Sequence, residues 1–305
     1  MHLHDPLPGS LAGAGLRFSR ALNIGHFHNP DPRFSGSGLA RRVGEALYGR
    51  FDACLADWAT ALPAIAAVAP AGAAELLPAI GSHPAPVNTV PVIAQIATGD
   101  RGSLRTTLRA LRRIHDLDWV ARIGVSPGSP APASLGATIR NRVDVVEVEP
   151  GDEEDFLAGA DIAVIGGTIA NPRPVDVVRA IAAAAIPVAT SVPIHEHLLA
   201  EGDLGPAYTP GDHQTLAAQL AIVLGDTGRA AAWRQASEPV RERLQPDHVV
   251  ERVEATCNAL VHRRHDLRAR PDVAKRLEDR PLIDVDLHMH TCLLYTSDAA
   301  DDTPC

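Results

Sequence analysis

The sequence predicts an α/β protein whose parallel sheets are covered by helices. Three observations carry that expectation. First, three short runs are β-branched and apolar without alternation: VDVVEV (143–148), DIAVIG (161–166) and IPVATS (186–191). Strands of that kind suit burial on both faces. Second, helical runs stand between and after them: EEDFLAGA (153–160), VDVVRAIAAAA (175–185) and HQTLAAQLAIVLG (213–225). Third, Pro/Gly breaks punctuate the order, which then repeats, as the connections of a parallel sheet require. Open sheets of this type bind ligands at the carboxyl ends of their strands.

The remaining elements follow in order. HLHDPLPGS (2–10) reads as half a strand running into a turn, so the amino-terminal sheet is expected to be incomplete. LNIGHF (22–27) is a strand, 37–47 a helix with Leu39, Val43 and Leu47 on one stripe, and FDACLADW (51–58) another strand. A helix is expected over 59–69, and AIGSHPAPVN (79–88) reads as a Pro-rich crossing between domains. VPVIAQIA (90–97) opens a second sheet; a helix over 102–115, a strand over 119–125 and a Pro/Ser/Gly loop over 126–135 follow. Beyond Gly225 the chain is helical, amphipathic over 229–243 and 249–262, then charged and linker-like over 263–280.

Bulk properties narrow the function. A chain of 305 residues can hold two ordinary domains. Its net charge of −9 disfavours a nucleic-acid partner, whose phosphates select basic surfaces. With 46% hydrophobic but only 4% aromatic residues, the core must come from Ala, Val, Leu and Ile. Cys54, Cys257, Cys292 and Cys305 have neither metal-like nor disulfide-like spacing, which fits a reducing compartment. There is no signal peptide and no apolar run of spanning length, so the expected address is cytoplasmic; peripheral membrane contact is compatible with the same features.

The order of motifs resembles that of the family 4 glycosyltransferases of the GT-B fold, a retaining class that uses nucleotide-sugar donors. HLHDPLPGS is similar to that family's HxHEP strand end, IGHFHNP (24–30) to its GTFH segment, and RFDACLADW (50–58) to RxDxVIAVS. The segment ending at Asn88 stands at the family's IPNG hinge. VIAQIATGDRGSLRTTLRAL (92–111) resembles FVGRxxxxKGxxxLLxAL, IPVATSVPIHEHLLAEG (186–202) resembles VPVVASxVGGIPEVVxxG, and AYTPGDHQTLAAQL (207–220) resembles LxxPGDpeaLAeAL. The resemblance covers nearly all of residues 1–262 and implies a GT-B-like pair of Rossmann-like domains. These are a partial amino-terminal, acceptor-side domain over 1–88 and a nucleotide-sugar domain over 89–240, with a helical return and linker over 241–281.

The resemblance also implies site residues. His28 matches the GTFH histidine near the transferred sugar and is the candidate catalytic residue; His26 takes the neighbouring Thr position. Gly99, Arg101 and Gly102 form a shortened phosphate-binding GR…KG, with Arg101 in place of the Lys. Glu196 matches the PE glutamate at a helix start, where a carboxylate also suits free backbone amides; His195 and His197 beside it are expected on the surface. The family's donor-site glutamate pair falls near Pro172 and Ala180, neither acidic, with Asp176 between them; Ala184 and Ala185 replace the usual glycines. His2 and His4 flank a strand end, a spacing that suggests a metal pair, while the match to HxHEP favours a cleft-lining role.

A separate string, LIDVDLHMHT (282–291), resembles the first motif of the PHP phosphoesterases. His288 and His290 would there be metal ligands on one side of a strand, holding a divalent ion once the PHP domain is complete. The tail CLLYTSDAADDTPC (292–305) back-translates to a transposon mosaic end and sequencing adapter, and is expected to be foreign to the protein. The leading expectation is transfer of a hexose from a nucleoside diphosphate sugar to a small-molecule or lipid-linked acceptor. The alternative is a degenerate GT-B binding or scaffold module attached to a metal-dependent PHP phosphoesterase.

Overall fold

The structure, a computed structural model, describes residues 1–6, 10–19, 21–29, 46–69, 71–97, 101–129, 135–265 and 288–289. The chain divides into two compact units, Met1–Leu77 with Val250–Cys305, and Pro78–Val249. Both are α/β units built on parallel sheets, as the apolar runs predict.

The first unit begins with β1 (His2–His4), α1 (Leu11–Phe18), β2 (Ile24–Phe27) and β3 (Ala53–Ala56). A 3-10 turn (Ala59–Ala61) leads into the short α2 (Leu62–Ala66), and β4 (Ala73–Glu75) follows. The single helix expected over 59–69 is thus broken, with Pro63 in the first turn of α2. Of the helix expected over 37–47, only its last positions lie among the described residues. Ser10 caps α1 by accepting from the Gly13 amide at 3.0 Å. The core beneath is apolar, with Leu3, Leu16, Phe27, Tyr48 and Ile65 buried. Phe51 stacks on Tyr48 and meets Phe27 edge-on, and its ring occupies the space a side chain at Gly25 would need: a Cβ there would come within 2.7 Å.

The second unit opens with β5 (Val92–Ile96), α3 (Arg101–Arg113), β6 (Val120–Val125), β7 (Val143–Glu147), α4 (Glu153–Leu157) and β8 (Ile162–Ile165). It continues with α5 (Pro174–Ala182), β9 (Ile186–Thr190), α6 (Pro193–Leu198), β10 (Ala207–Tyr208), α7 (His213–Gly225) and α8 (Thr227–Leu244). The chain then enters α9 (Pro246–His265), and His288–Met289 form the short β11.

The first sheet has the order β11-β1-β2-β3-β4 and the second β10-β9-β8-β5-β6-β7, every pair parallel. In the second sheet the chain therefore starts in the middle, winds outward to β7, and returns to build outward from β8. That reversal sets β5 beside β8 and makes their carboxyl ends a topological switch point.

β8 and β9 are buried along their whole length, as their unbroken apolar runs predict. β7 departs from expectation. Among the described residues it pairs with β6 alone and its last residues are exposed, because it closes an edge of the sheet. Two devices hold the sheet to its helices. Trp119 is fully buried with its indole donating to the Ile114 carbonyl at 2.7 Å, and the Arg142 guanidinium lies 4.0 Å over the ring. Arg142 also donates to the carbonyls of His115, Leu117 and Trp119, closing the turn between α3 and β6. Asp161, just before β8, accepts from the Val92 amide at 3.0 Å, Asn88 at 2.8 Å and Arg234 at 2.9 Å, locking β8 to β5.

The end of α5 explains the Ala-Ala that replaces glycines. The Ala185 amide donates to the Ala180 carbonyl and the Ala184 amide to the Ile181 carbonyl, both at 3.0 Å, which is the Schellman pattern. Ala184 takes the left-handed position at φ +57°. A Cβ is strained there by about 1 kcal/mol, less what glycine loses in unfolded-chain entropy. Ala184→Gly should raise unfolding stability by about 0.5 kcal/mol in urea titration; an equal loss would contradict the motif.

α6 corrects a second expectation. His197 is exposed, but His195 is fully buried, its Nδ1–H donating to the Thr190 carbonyl at 3.1 Å. Burial pushes its pKa below the ordinary 6.5. The folded state therefore favours the neutral ring. Its contribution is complete above pH about 6.5 and is lost as pH falls from there toward the folded-state value. The urea midpoint should drop between pH 7.5 and 5 by more in the unaltered protein than in His195→Gln; equal drops would exclude this residue as the source.

Candidate functional site

The second unit presents its candidate site at the carboxyl ends of β5 and β8. Gln95, buried in β5, donates through Nε2 to Ser103 Oγ at 2.7 Å and so fixes the first turn of α3 against the strand. Thr106 ties back to the Gly102 carbonyl at 3.1 Å. Arg101 and Gly102 lie exposed in that first turn. The leading amides of a helix have no partner within it, so an anion placed there gains hydrogen bonds and a favourable dipole. Gly99 lies outside the described residues.

Gly166 and Gly167 follow the end of β8. Gly167 has φ +144°, and a Cβ on it would lie 3.2 Å from the His195 ring and 3.3 Å from the Asn171 carbonyl. Thr168 and Asn171 then close a turn through paired backbone hydrogen bonds of 3.1 Å, with Ile169 exposed at its tip.

The two positions where the resemblance places carboxylates do not offer them. Ala180 is fully buried inside α5, and Pro172 precedes that helix. Asp176 is buried and already held, by Arg173 Nε at 2.6 Å and Arg179 at 3.3 Å. Its charge is neutralised within α5 and is not displayed to a ligand. Glu196 is exposed in the first turn of the short α6, beside the helix's leading amides.

The first unit contains a second constellation that motif order does not reveal. β1 and β2 pair with His4 opposite His26, and β2 pairs with β3 so that Asp57 follows the strand end beside His28. Alternate residues share a sheet face, so His2, His4, His26, His28 and Asp57 gather on one side. The rings of His2 and His26 stack at 5.3 Å, and those of His4 and His28 at 5.0 Å. Asp57, 7% exposed, takes both β2 histidines: Oδ1 meets His26 Nε2 at 2.8 Å and Oδ2 meets His28 Nδ1 at 2.7 Å. His28 Nε2 in turn lies 2.7 Å from His4 Nδ1.

The electrostatics follow from that geometry. Burial alone would raise the Asp57 pKa, but hydrogen bonds from His26 and His28 outweigh it and hold the carboxyl low. Burial disfavours the charged form of His28, yet Asp57, with Asp5, outweighs it and raises that pKa. The backbone of His28 is pinned as well, its amide donating to Asp5 Oδ1 at 3.0 Å and its carbonyl accepting from Trp58 Nε1 at 2.8 Å. Both ring nitrogens of His28 are engaged, so a direct role on a sugar requires Nε2 to leave His4. Asp57 escaped the sequence reading; the signal available was the doubled H-x-H on two neighbouring strands. For the PHP-like string, the backbone of His288–Met289 pairs in parallel with His2–Leu3, while His290 and the 292–305 tail lie outside the described residues.

No protein-family model matches the sequence, and no curated protein matches it. Solved structures do. The Anabaena protein HepE, in complex with UDP and glucose, superposes with a TM-score of 0.61 at 17% identity, covering 81% of this chain and 74% of that one. A glycosyltransferase from Rickettsia africae gives 0.63 at 13% identity over 85% and 76%. Sucrose-phosphate synthase from Thermosynechococcus elongatus gives 0.56 at 15% identity over 86% and 73%. At these identities the likeness establishes the fold: parallel α/β sheets covered by helices, as in the GT-B glycosyltransferases.

Proposed function

We propose that this protein acts on a nucleoside diphosphate sugar, transferring its hexose to a small-molecule or lipid-linked acceptor. The observation that carries the reading is the switch point of the second sheet, where β5 meets β8 and the start of α3 displays Arg101 and Gly102. Helix amides and a guanidinium there suit a diphosphate, whose negative charge grows as the sugar C1–oxygen bond breaks. Gly167 adds a stretch of backbone without a side chain at the end of β8. UDP and glucose accompany HepE, a structural neighbour, which supports a donor of the same class. In the same reading His28 contacts the sugar, Glu196 lies on the donor side, and the chain works in the cytoplasm as a family 4 type enzyme. His288 and His290 begin a metal-dependent PHP module.

One observation favours a second reading, a binding module without transfer. The donor-site carboxylates are replaced by Pro172 and Ala180, and Asp176 is committed to two arginines.

Titration of UDP and UDP-glucose by calorimetry should give saturable binding that Arg101→Ala weakens by about tenfold, or roughly 1.4 kcal/mol. Release of UDP from UDP-glucose by the same protein identifies the transferase. Binding without release identifies the binding module. No binding of UDP-, GDP- or ADP-sugars would sink both.

A further inference from the structure

The first unit carries a set of three histidines, His2, His4 and His26, to which the donor reading gives no role. We propose that His2, His4 and His26 bind a divalent transition-metal ion of the zinc class, with Asp57 as the carboxylate that orients the ligand set.

The argument starts with protons. Asp57 turns one carboxylate oxygen to each of the two histidines that face it, at 2.8 Å and 2.7 Å, and so accepts from both. His26 must then carry its proton on Nε2, which leaves the lone pair on Nδ1. His28 carries a proton on Nδ1; with that ring neutral, its Nε2 accepts from Nδ1–H of His4. His4 is thereby left with its lone pair on Nε2. One carboxylate thus orders the tautomers of three neutral imidazoles and leaves a basic nitrogen on two of them.

The geometry agrees. One ring nitrogen each from His2, His4 and His26 lies within 4.8 Å of the others. His26 is 8% exposed, and its Nδ1 is buried with no hydrogen-bond partner. A buried basic nitrogen left so costs about 1–3 kcal/mol, which a metal bond would recover. Ligand nitrogens around a tetrahedral zinc at about 2.0–2.1 Å are roughly 3.4 Å apart, so closure takes side-chain rotation of about an ångström and no change in the strands. Neutral imidazoles suit Zn(II), Cu(II), Ni(II) and Fe(II) over calcium or magnesium, which select oxygen. Aspartate hydrogen-bonded to a ligating histidine is the usual outer partner of such sites. His26, His28 and Asp57 also lie close enough together to form a set, but a metal there would have to break both Asp57 hydrogen bonds. Three protein ligands leave a fourth position for a water or a substrate oxygen.

The test uses the untagged full chain, freed of metal and titrated with zinc chloride by calorimetry. One zinc per chain is expected, with His26→Ala and His2→Ala each weakening it by about 100-fold and Asp57→Asn by about 10–100-fold. Exposed His262→Ala should leave it, and a protein carrying both His288→Ala and His290→Ala separates this site from one built on the 282–291 string. Loss of zinc only in the His288/His290 variant, or no saturable binding, would overturn the proposal. Should the His26 or His2 variant fail to fold, imidazole nitrogen NMR on the unaltered protein decides. Zinc must shift His26 Nδ1 together with His2 and His4, and shifts confined to other histidines would refute the site.

Discussion

The pairing of β5 with β8 is the contact on which the second unit depends. The strands are separated by the whole of α3, β6, β7 and α4, yet Ile93 sits beside Ile162 and Ala94 beside Ala163. Without that pairing the sheet would be two separate pieces, each with an exposed edge of unpaired amides and carbonyls. Asp161 secures it from one end by gathering the Val92 amide, Asn88 and Arg234 onto a single carboxylate. The same pairing produces the crevice. Strand order reverses there, so the connections leave β5 and β8 in opposite directions and leave their carboxyl ends uncovered. The start of α3, anchored by Gln95 to Ser103, lies at that end, where an anion meets helix amides. Fold and candidate donor site therefore share one cause.

The first unit is governed by a different constraint, the period of two along a strand. Two H-x-H strings on adjacent parallel strands place four imidazoles on one face, and the strand after them delivers one carboxylate. Grouping that many ring nitrogens is unfavourable once more than one is protonated. Asp57 relieves it by pairing one carboxylate with two of the rings. The outcome is a directional arrangement of lone pairs in place of a diffuse basic patch.

The legible part of the fold was the part fixed by burial alone. β8, β9 and α7 match their expected runs because an unbroken apolar strand, or a helix begun by Asp212 accepting from Gln214, has few alternatives. What was not legible depended on neighbours. VDVVEV reads as a central strand, yet it lies at an edge, a property of the sheet order and not of the run. His195 looks like a surface residue of a polar helix, but the turn after Gly167 covers it. The start of α3 is singled out in the sequence by the motif around Arg101. The histidines are visible there one pair at a time; their union with Asp57 is not, because the members come from three strands whose register no single segment encodes. The replacement of glycine by Ala184 was visible; that the backbone keeps the left-handed turn regardless required the Schellman hydrogen bonds.

The central claim is that the carboxyl ends of β5 and β8 receive the diphosphate of a nucleotide sugar. A crystal structure of the full chain grown with UDP-glucose tests it directly. The account predicts phosphate oxygens within hydrogen-bond distance of the first amides of α3 and of Arg101, beside the backbone of Gly167. Well-ordered UDP bound elsewhere on the second unit, with the start of α3 untouched, would contradict it.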